Sequence, residues 1–514
     1  MKRIFAIIMT ICLMASVLSV PAFALKEAPT PIGAVLRVSA QKKDGTSIAI
    51  PNADFTSFEQ GWEAAILLAM NGDKMDAEGY DRVVVDLLAD WNANSKGEFG
   101  DSDLEGFRQS TIYCPSGVRL TINMNGHTID RNLEKEEYDG EVIAIGDNAN
   151  VIINGGKSGD PIIKKDEVAA EGMIGTITGG WSCNGAGGIH IADKAVVTLN
   201  NVNVEGNAVE DDKGAGIAVY EGSSLVMNGG KISDNRLYLF FDTFERTEGA
   251  LYVDGATVVL NDVIISGNSA DDGEILGVAL SLNSNCKVTL NRCHVFENAF
   301  AKDQKCYSIF YLDDAGCELE VNDSYIINNG RPIYSVSRGS RSTAFASNGK
   351  LTFNRCEIKG NQSYMLLIAA QYASAVNTFN ECVITDNPCG VLCSVGNPYK
   401  SSHTFIKCRF NNNNPTKDAY VEASFEGNAA ADIKLIDCEM GDSTYKDKDE
   451  IEFINTTRGR ALAGSLFGEG SLVMIISILA LVVSVVSICL TIAFSKKKIA
   501  PASADTAAES KDRE

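Results

Sequence analysis

Histidine is scarce: His127, His190, His294 and His403 are the only four in 514 residues. They fall on different repeats and at different repeat positions, so they assemble no His/Asp/Ser arrangement for nucleophilic catalysis. Basic charge is also short. Lys and Arg total 45 against 67 Asp and Glu, a formal net charge of −22. A chain this acidic is a poor match for nucleic acid, and the charge keeps it soluble and disfavours anionic surfaces. No Leu-x-x-Leu-x-Leu pattern recurs, which removes the leucine-rich repeat as an explanation of any periodicity.

Long uncharged runs are nearly absent too, and the exceptions lie at the two ends. Lys2 and Arg3 precede an apolar stretch from Ile4 to Val20 and the small residues around Ala22 and Ala24, the pattern of a secretory leader over 1–24. Leu472 to Phe494 is an uncharged run. At about 1.5 Å per helical residue it spans a hydrocarbon core of about 30 Å. Lys496, Lys497 and Lys498 follow it and predict a cytoplasmic tail over 495–514. Residues 25–471 are then extracellular, with a net charge near −25 once the leader and tail are removed. The expected localisation is the cell membrane, held by one helix. Surface proteins of some Gram-positive bacteria end similarly but carry Leu-Pro-x-Thr-Gly before the apolar run. That motif is missing, and leader plus anchor resemble a bacterial single-pass membrane protein left in the membrane after export.

The body is a repeat. Asn200 to Asn207 and Asn228 to Asn235 share an Asn, a Val or Ile four residues later and an Asn seven later; the pattern returns at 261–268, 291–298, 354–361 and 380–387. Residues 322–329 keep both Asn, 406–413 keep the last, and 125–132 also fit. The final residues, Asn207, Asn235, Asn268, Asn298, Asn329, Asn361, Asn387 and Asn413, are spaced by 28, 33, 30, 31, 32, 26 and 26. Each unit holds three short β-type runs, such as 187–191, 196–199 and 202–204. The predicted fold class is all-β: a parallel β-helix with three short strands per coil over 110–440, since one such rung cannot bury a core alone. The Asn column is expected at a bend, where Asn tolerates left-handed backbone. Stacked about 4.8 Å apart, its amides would form a ladder.

An N-terminal cap is expected over 25–109, with Thr56-Ser57-Phe58-Glu59 as a capping box. Trp62, Ala65, Ile66 and Ala69 then form one helical face, Gly72 marks the stop, and Val83 to Leu88 enters the stack as a strand. Residues 441–471 read as a tether. Of 14 cysteines, Cys293, Cys356, Cys382, Cys408 and Cys438 share one repeat position, and Cys286 and Cys317 form a second column. Stacked Cβ atoms about 4.8 Å apart exceed the disulfide preference of about 3.5 to 4.5 Å, so free, packed thiols are expected. Cys389 and Cys393 remain as disulfide candidates.

The repeat, the glycine-led strands at 185–189 and 214–217 and the Asn column resemble right-handed parallel β-helix repeat proteins of the pectate-lyase-like group, over roughly 110–440. The resemblance implies the right-handed fold and a helical lid. Its activities include lyases, hydrolases, adhesins and structural stalks. Pectin hydrolases of this fold use Asn-Thr-Asp, Asp-Asp, Gly-His-Gly and Arg-Ile-Lys; only Asp-Asp pairs occur here. The candidate site residues are Asp211, Asp212, Asp271 and Asp272, in loops after ladder positions. They read as solvated turns, as oxygen ligands for Ca²⁺, or as an acid/base pair acting on a glycan. Beyond that Ca²⁺, no cofactor is implied. The expected function is a membrane-anchored, adhesin-like binding or structural scaffold contacting a glycan or another surface protein. The alternative is a polysaccharide lyase or glycoside hydrolase.

Overall fold

The computed structural model describes residues 33–93, 111–133, 140–183, 185–238, 247–270, 275–299, 308–330, 343–362, 366–370, 375–387, 394–396, 401–413, 423–424, 432–441 and 451–458. The leader, the apolar run 472–494, the tail, Cys389 and Cys393 lie outside them. Among the described residues no helix is long and apolar enough to cross a membrane. The chain divides into residues 1–457, which carry the fold described here, and 458–514, of which only Arg458 is described.

Alternating apolar residues make each coil. Leu280–Asn283, Lys287–Asn291 and His294–Phe296 are the three strands of a representative one. Leu280, Leu282, Val288, Leu290 and Val295 turn inward and are fully buried, each contributing roughly 1.5–3 kcal/mol against exposure. One left-handed residue, Arg292 at φ 53°, turns the second strand into the third. In two coils these strands run on as one, Val196–Glu205 and Ser224–Ser233. Coils stack in parallel and in register: Val151, Val197, Leu225, Val258, Val288, Leu319 and Leu351 follow one another through the core. Among the described residues the strands form a long sheet of 26, a second sheet of 11 and a short sheet of four. The neighbouring inward column, Leu290 and Val321, changes near the C-terminal coils to Phe353, Phe379 and Phe405, whose rings stack at 5.0 and 4.8 Å.

The N-terminal end departs from the repeat. Strands β1 (Leu36–Lys42), β2 (Ser47–Phe55) and β3 (Tyr80–Leu87) are antiparallel, with β1 in the middle. Strand β3 then pairs in parallel with Arg119–Asn123, Val83 opposite Leu120, and so enters the stack as its sequence implied. Helix α1 spans Phe58–Ala69. Its N-cap is Ser57 rather than Thr56, because the Ser57 hydroxyl accepts from the Gln60 amide and donates to Glu59. Phe58, Trp62, Ala65, Ile66 and Ala69 face inward, and the Trp62 indole N–H donates to the Tyr113 carbonyl at 3.2 Å. Gly72 opens a second short helix, α2 (Gly72–Ala77), rather than only ending the first. At the other end the stack outlasts residue 440: Ile451–Ile454 pairs in register with Ile433 to Ile436, so the segment expected to be a tether contains another rung.

The expected asparagine ladder is present. Each Nδ2 from Asn207 through Asn235, Asn268, Asn298, Asn329, Asn361 and Asn387 donates to the Oδ1 of the next, ending on Asn413, over 2.8–3.3 Å. Its backbone basis differs from expectation. The left-handed residue is the one before each ladder Asn, as at Asp234, Glu297, Asn328, Asp386 and Asn412. The ladder side chain is thereby turned into the buried interior, where it also donates to a carbonyl of the preceding coil, as Asn298 does to Ile265. A second ladder joins the first Asn of the pattern. Asn380, Asn354, Asn322, Asn291, Asn261, Asn228, Asn200 and Asn154 each donate to the coil before, and Asn123 ends the row on the Asp86 carboxylate.

Among the described residues the cysteines of both columns are free, as expected. At the corner column Cys293, Cys356, Cys382, Cys408 and Cys438 donate their thiols to carbonyls of the preceding coil at 3.2–3.6 Å. The Ser324 hydroxyl, in the same column, donates to a carbonyl of its own coil. Burial pushes the Cys293 thiol up to about 12. The second column is different: the Cys286 thiol donates to the Cys317 sulfur at 3.6 Å.

Candidate functional site

The inward residues of the second sheet belong to the core, so alternation puts their neighbours on its outer face. His190, Ala218, Tyr252, Ser281 and Tyr311 occupy successive rungs of that face. Small residues between the large ones leave room for rings. His190 and Tyr220 lie with centroids 4.8 Å apart, and Tyr220 meets the edge of Tyr252 at 6.1 Å. His190 and Tyr220 are half-buried, whereas Tyr252 is covered. Glycine shapes the approach: a Cβ on Gly188 would lie 2.3 Å from the Gly216 carbonyl oxygen.

Beneath the rings lies a polar network. The Tyr252 hydroxyl donates to Asp254 at 3.3 Å and accepts from Asn283 at 3.0 Å and Lys213 at 3.3 Å. Glu248, only 2% exposed, accepts from the Ser281 hydroxyl at 2.7 Å and from Asn283 at 3.2 Å. Burial, then the nearby carboxylates, hold the Tyr220 hydroxyl well above the usual tyrosine range; burial does the same for Tyr252. Both stay protonated at neutral pH. The face therefore offers apolar ring surface beside hydroxyl and carboxylate groups, a combination suited to a sugar ring and its hydroxyls.

The sequence candidates divide. Asp212 joins this face: its carboxylate accepts from the Gly185 and Lys213 amides and lies beside Tyr220. Asp211 is a left-handed bend residue at φ 50° whose amide donates to the Tyr238 carbonyl. Asp271 and Asp272 lie outside the described residues. The strand before them, Ser269–Ala270, pairs with Arg236–Tyr238, which in turn pairs with Ala208–Glu210. Among the described residues no group of three or more His, Cys, Asp or Glu is placed to hold a metal ion. The other histidines stay dispersed, His127 beside Asp90 and His403 inside the core.

The aromatic face escaped the sequence reading. Tyr220 and Tyr252 are 32 residues apart, but Tyr252 pairs with Ala218 while Tyr220 lies two positions further on, just past the strand Ile217–Val219, and only the register shows that they meet.

Residues 176–348 match the family model described as right handed beta helix region. Over those residues the repeat is similar to a right-handed β-helix. No curated protein and no solved structure matches the chain. The matched segment of this right-handed β-helix includes the whole outer face from Gly185 to Tyr311, and the fold is consistent with the pectate-lyase-like superfamily.

Proposed function

We propose that this right-handed β-helix is an exported, single-pass membrane protein whose coils form a binding scaffold for glycan outside the cell. The observation that carries the reading is the half-buried His190–Tyr220 ring pair set beside the Asp212 and Asp254 carboxylates. The leader and the run 472–494 support export and anchoring, and α1 with β1 and β2 serves as the lid over the first coil, blocking edge-to-edge association. A repetitive polymer suits a stack whose coils repeat about every 4.8 Å. Glycan cleavage is the second reading, favoured by the near-complete burial of the Glu248 carboxylate.

The full chain in detergent, incubated with neutral and uronic-acid polysaccharides with and without Ca²⁺, separates the two. Retained ligand without new reducing ends or unsaturated products is the expected result. Turnover that disappears when Asp211, Asp212, Asp271 and Asp272 are changed together to Asn would overturn it and make those residues an active site.

A further inference from the structure

Two buried thiols in this fold are not used as the others are. Cys286 and Cys317 sit one coil apart, each just before its second strand, and the Glu318 amide donates to the Cys286 carbonyl at 2.9 Å. Corner thiols donate to carbonyls, and several also lie beside the next cysteine of their column; the Cys286 thiol instead donates to the Cys317 sulfur, 3.6 Å away. Their flanks in the same column are the small residues Ala256 and Gly349, so no further thiol adjoins the pair. Each lies directly after an exposed residue, Asn285 and Gly316, so the pair is one residue below the surface.

We propose that Cys286 and Cys317 are a modification site: a dithiol that an external disulfide converts to a cross-link stapling one complete coil. Parallel neighbours have Cα atoms about 4.8 Å apart, inside the range of about 4.4–6.8 Å that disulfides span. The Cβ spacing is a few tenths of an ångström too long at a strand centre, but both residues precede their strands, where the turn can tilt. The order of reaction follows from the hydrogen bond. Cys317 accepts from Cys286, which favours its thiolate. Cys317 attacks one sulfur of a small-molecule disulfide as the thiolate, forming a mixed disulfide and releasing one thiolate, which takes up the proton that Cys317 has lost. Cys286 then attacks the Cys317 sulfur, a second thiolate leaves, and the Cys286 proton passes to it. Two protein thiols are oxidised and one external disulfide is reduced. Disulfides persist outside the cytoplasm, so an exported chain meets such an oxidant. The geometry itself does not depend on the glycan reading.

The test is performed on the full chain in detergent, reduced, freed of reductant and exposed to oxidised glutathione. A non-reducing peptide map is expected to show the Cys286 and Cys317 peptides joined, and the melting temperature to rise by several degrees. Cys286→Ala with Cys317→Ala, compatible with a column that already holds Ala256, should lose the rise. A map in which these two peptides remain unjoined, or a cross-link that leaves the melting temperature unchanged, would overturn the proposal.

Discussion

Asparagine appears twice in most coils, and its two columns run in opposite directions. Inner amides donate towards the C-terminal coils, while outer amides donate towards the N-terminus and finish on Asp86. A carboxylate at the donor end of an aligned row of amides complements its dipole, as one does at a helix N-terminus. Asn298 is fully buried between Asn268 and Asn329, whereas the Asn203 Oδ1 on the outer face accepts no hydrogen bond. Asn298→Ala is therefore expected to cost about 1–3 kcal/mol more than Asn203→Ala; equal melting temperatures would contradict the inner ladder. His403 is a second test. It occupies a core position between Asn377 and Ile433, and burial lowers its pKa from 6.5 to about 4. The unfolded chain takes this proton first, so the stability contribution is complete above about pH 6.5 and is lost as pH falls towards 4, by about 3 kcal/mol. Replacing Asn377 and His403 together by Leu should flatten that part of the stability profile, measured by denaturant titration. An unchanged slope would place the acid sensitivity elsewhere. The inner ladder was legible because one residue type recurred at a fixed distance from an apolar one. The outer ladder used an Asn visible in the same pattern, but sequence spacing does not show which side chains share an edge.

At the corner between second and third strands, one left-handed residue per coil recurs with alternating charge: Asp262, Arg292, Asp323, Arg355, Glu381, Lys407, Asp437. Successive coils place them next to each other, and Arg292 meets Asp262 at 2.6 Å while Arg355 meets Asp323 at 2.6 Å. Alternation avoids a column of like charges at this spacing. Arg292→Asp would put three carboxylates in a row and is expected to lower the melting temperature at low salt, with recovery at high salt. A salt-independent loss would mean that backbone strain rather than charge is responsible. The three-strand coil was readable because apolar alternation and left-handed residues repeat with it. The antiparallel β1–β2 pair occurs once, so no period announces it, and the extra rung at Ile451–Ile454 was hidden because its coil has lost both ladder asparagines.

For the whole molecule, topology and binding are separable. A protease added to intact cells is expected to cut an epitope near Leu25 and spare one after Glu514; cleavage of both would end the single-pass arrangement. The fold followed from the repeat, but the face proposed to bind did not, because Tyr220, Tyr252 and His190 come together only through coil register. Ligand retention by single-ring variants of the full chain therefore tests the central claim most directly. With the polysaccharide that the wild-type chain retains best, Tyr220→Ala is expected to weaken retention about tenfold, on the order of 1.4 kcal/mol for a lost stacking surface. Tyr325→Ala, which removes an exposed ring from the long sheet, should leave it unchanged. Equal retention by wild type and Tyr220→Ala, or a loss confined to Tyr325→Ala, would contradict the assignment of the binding face.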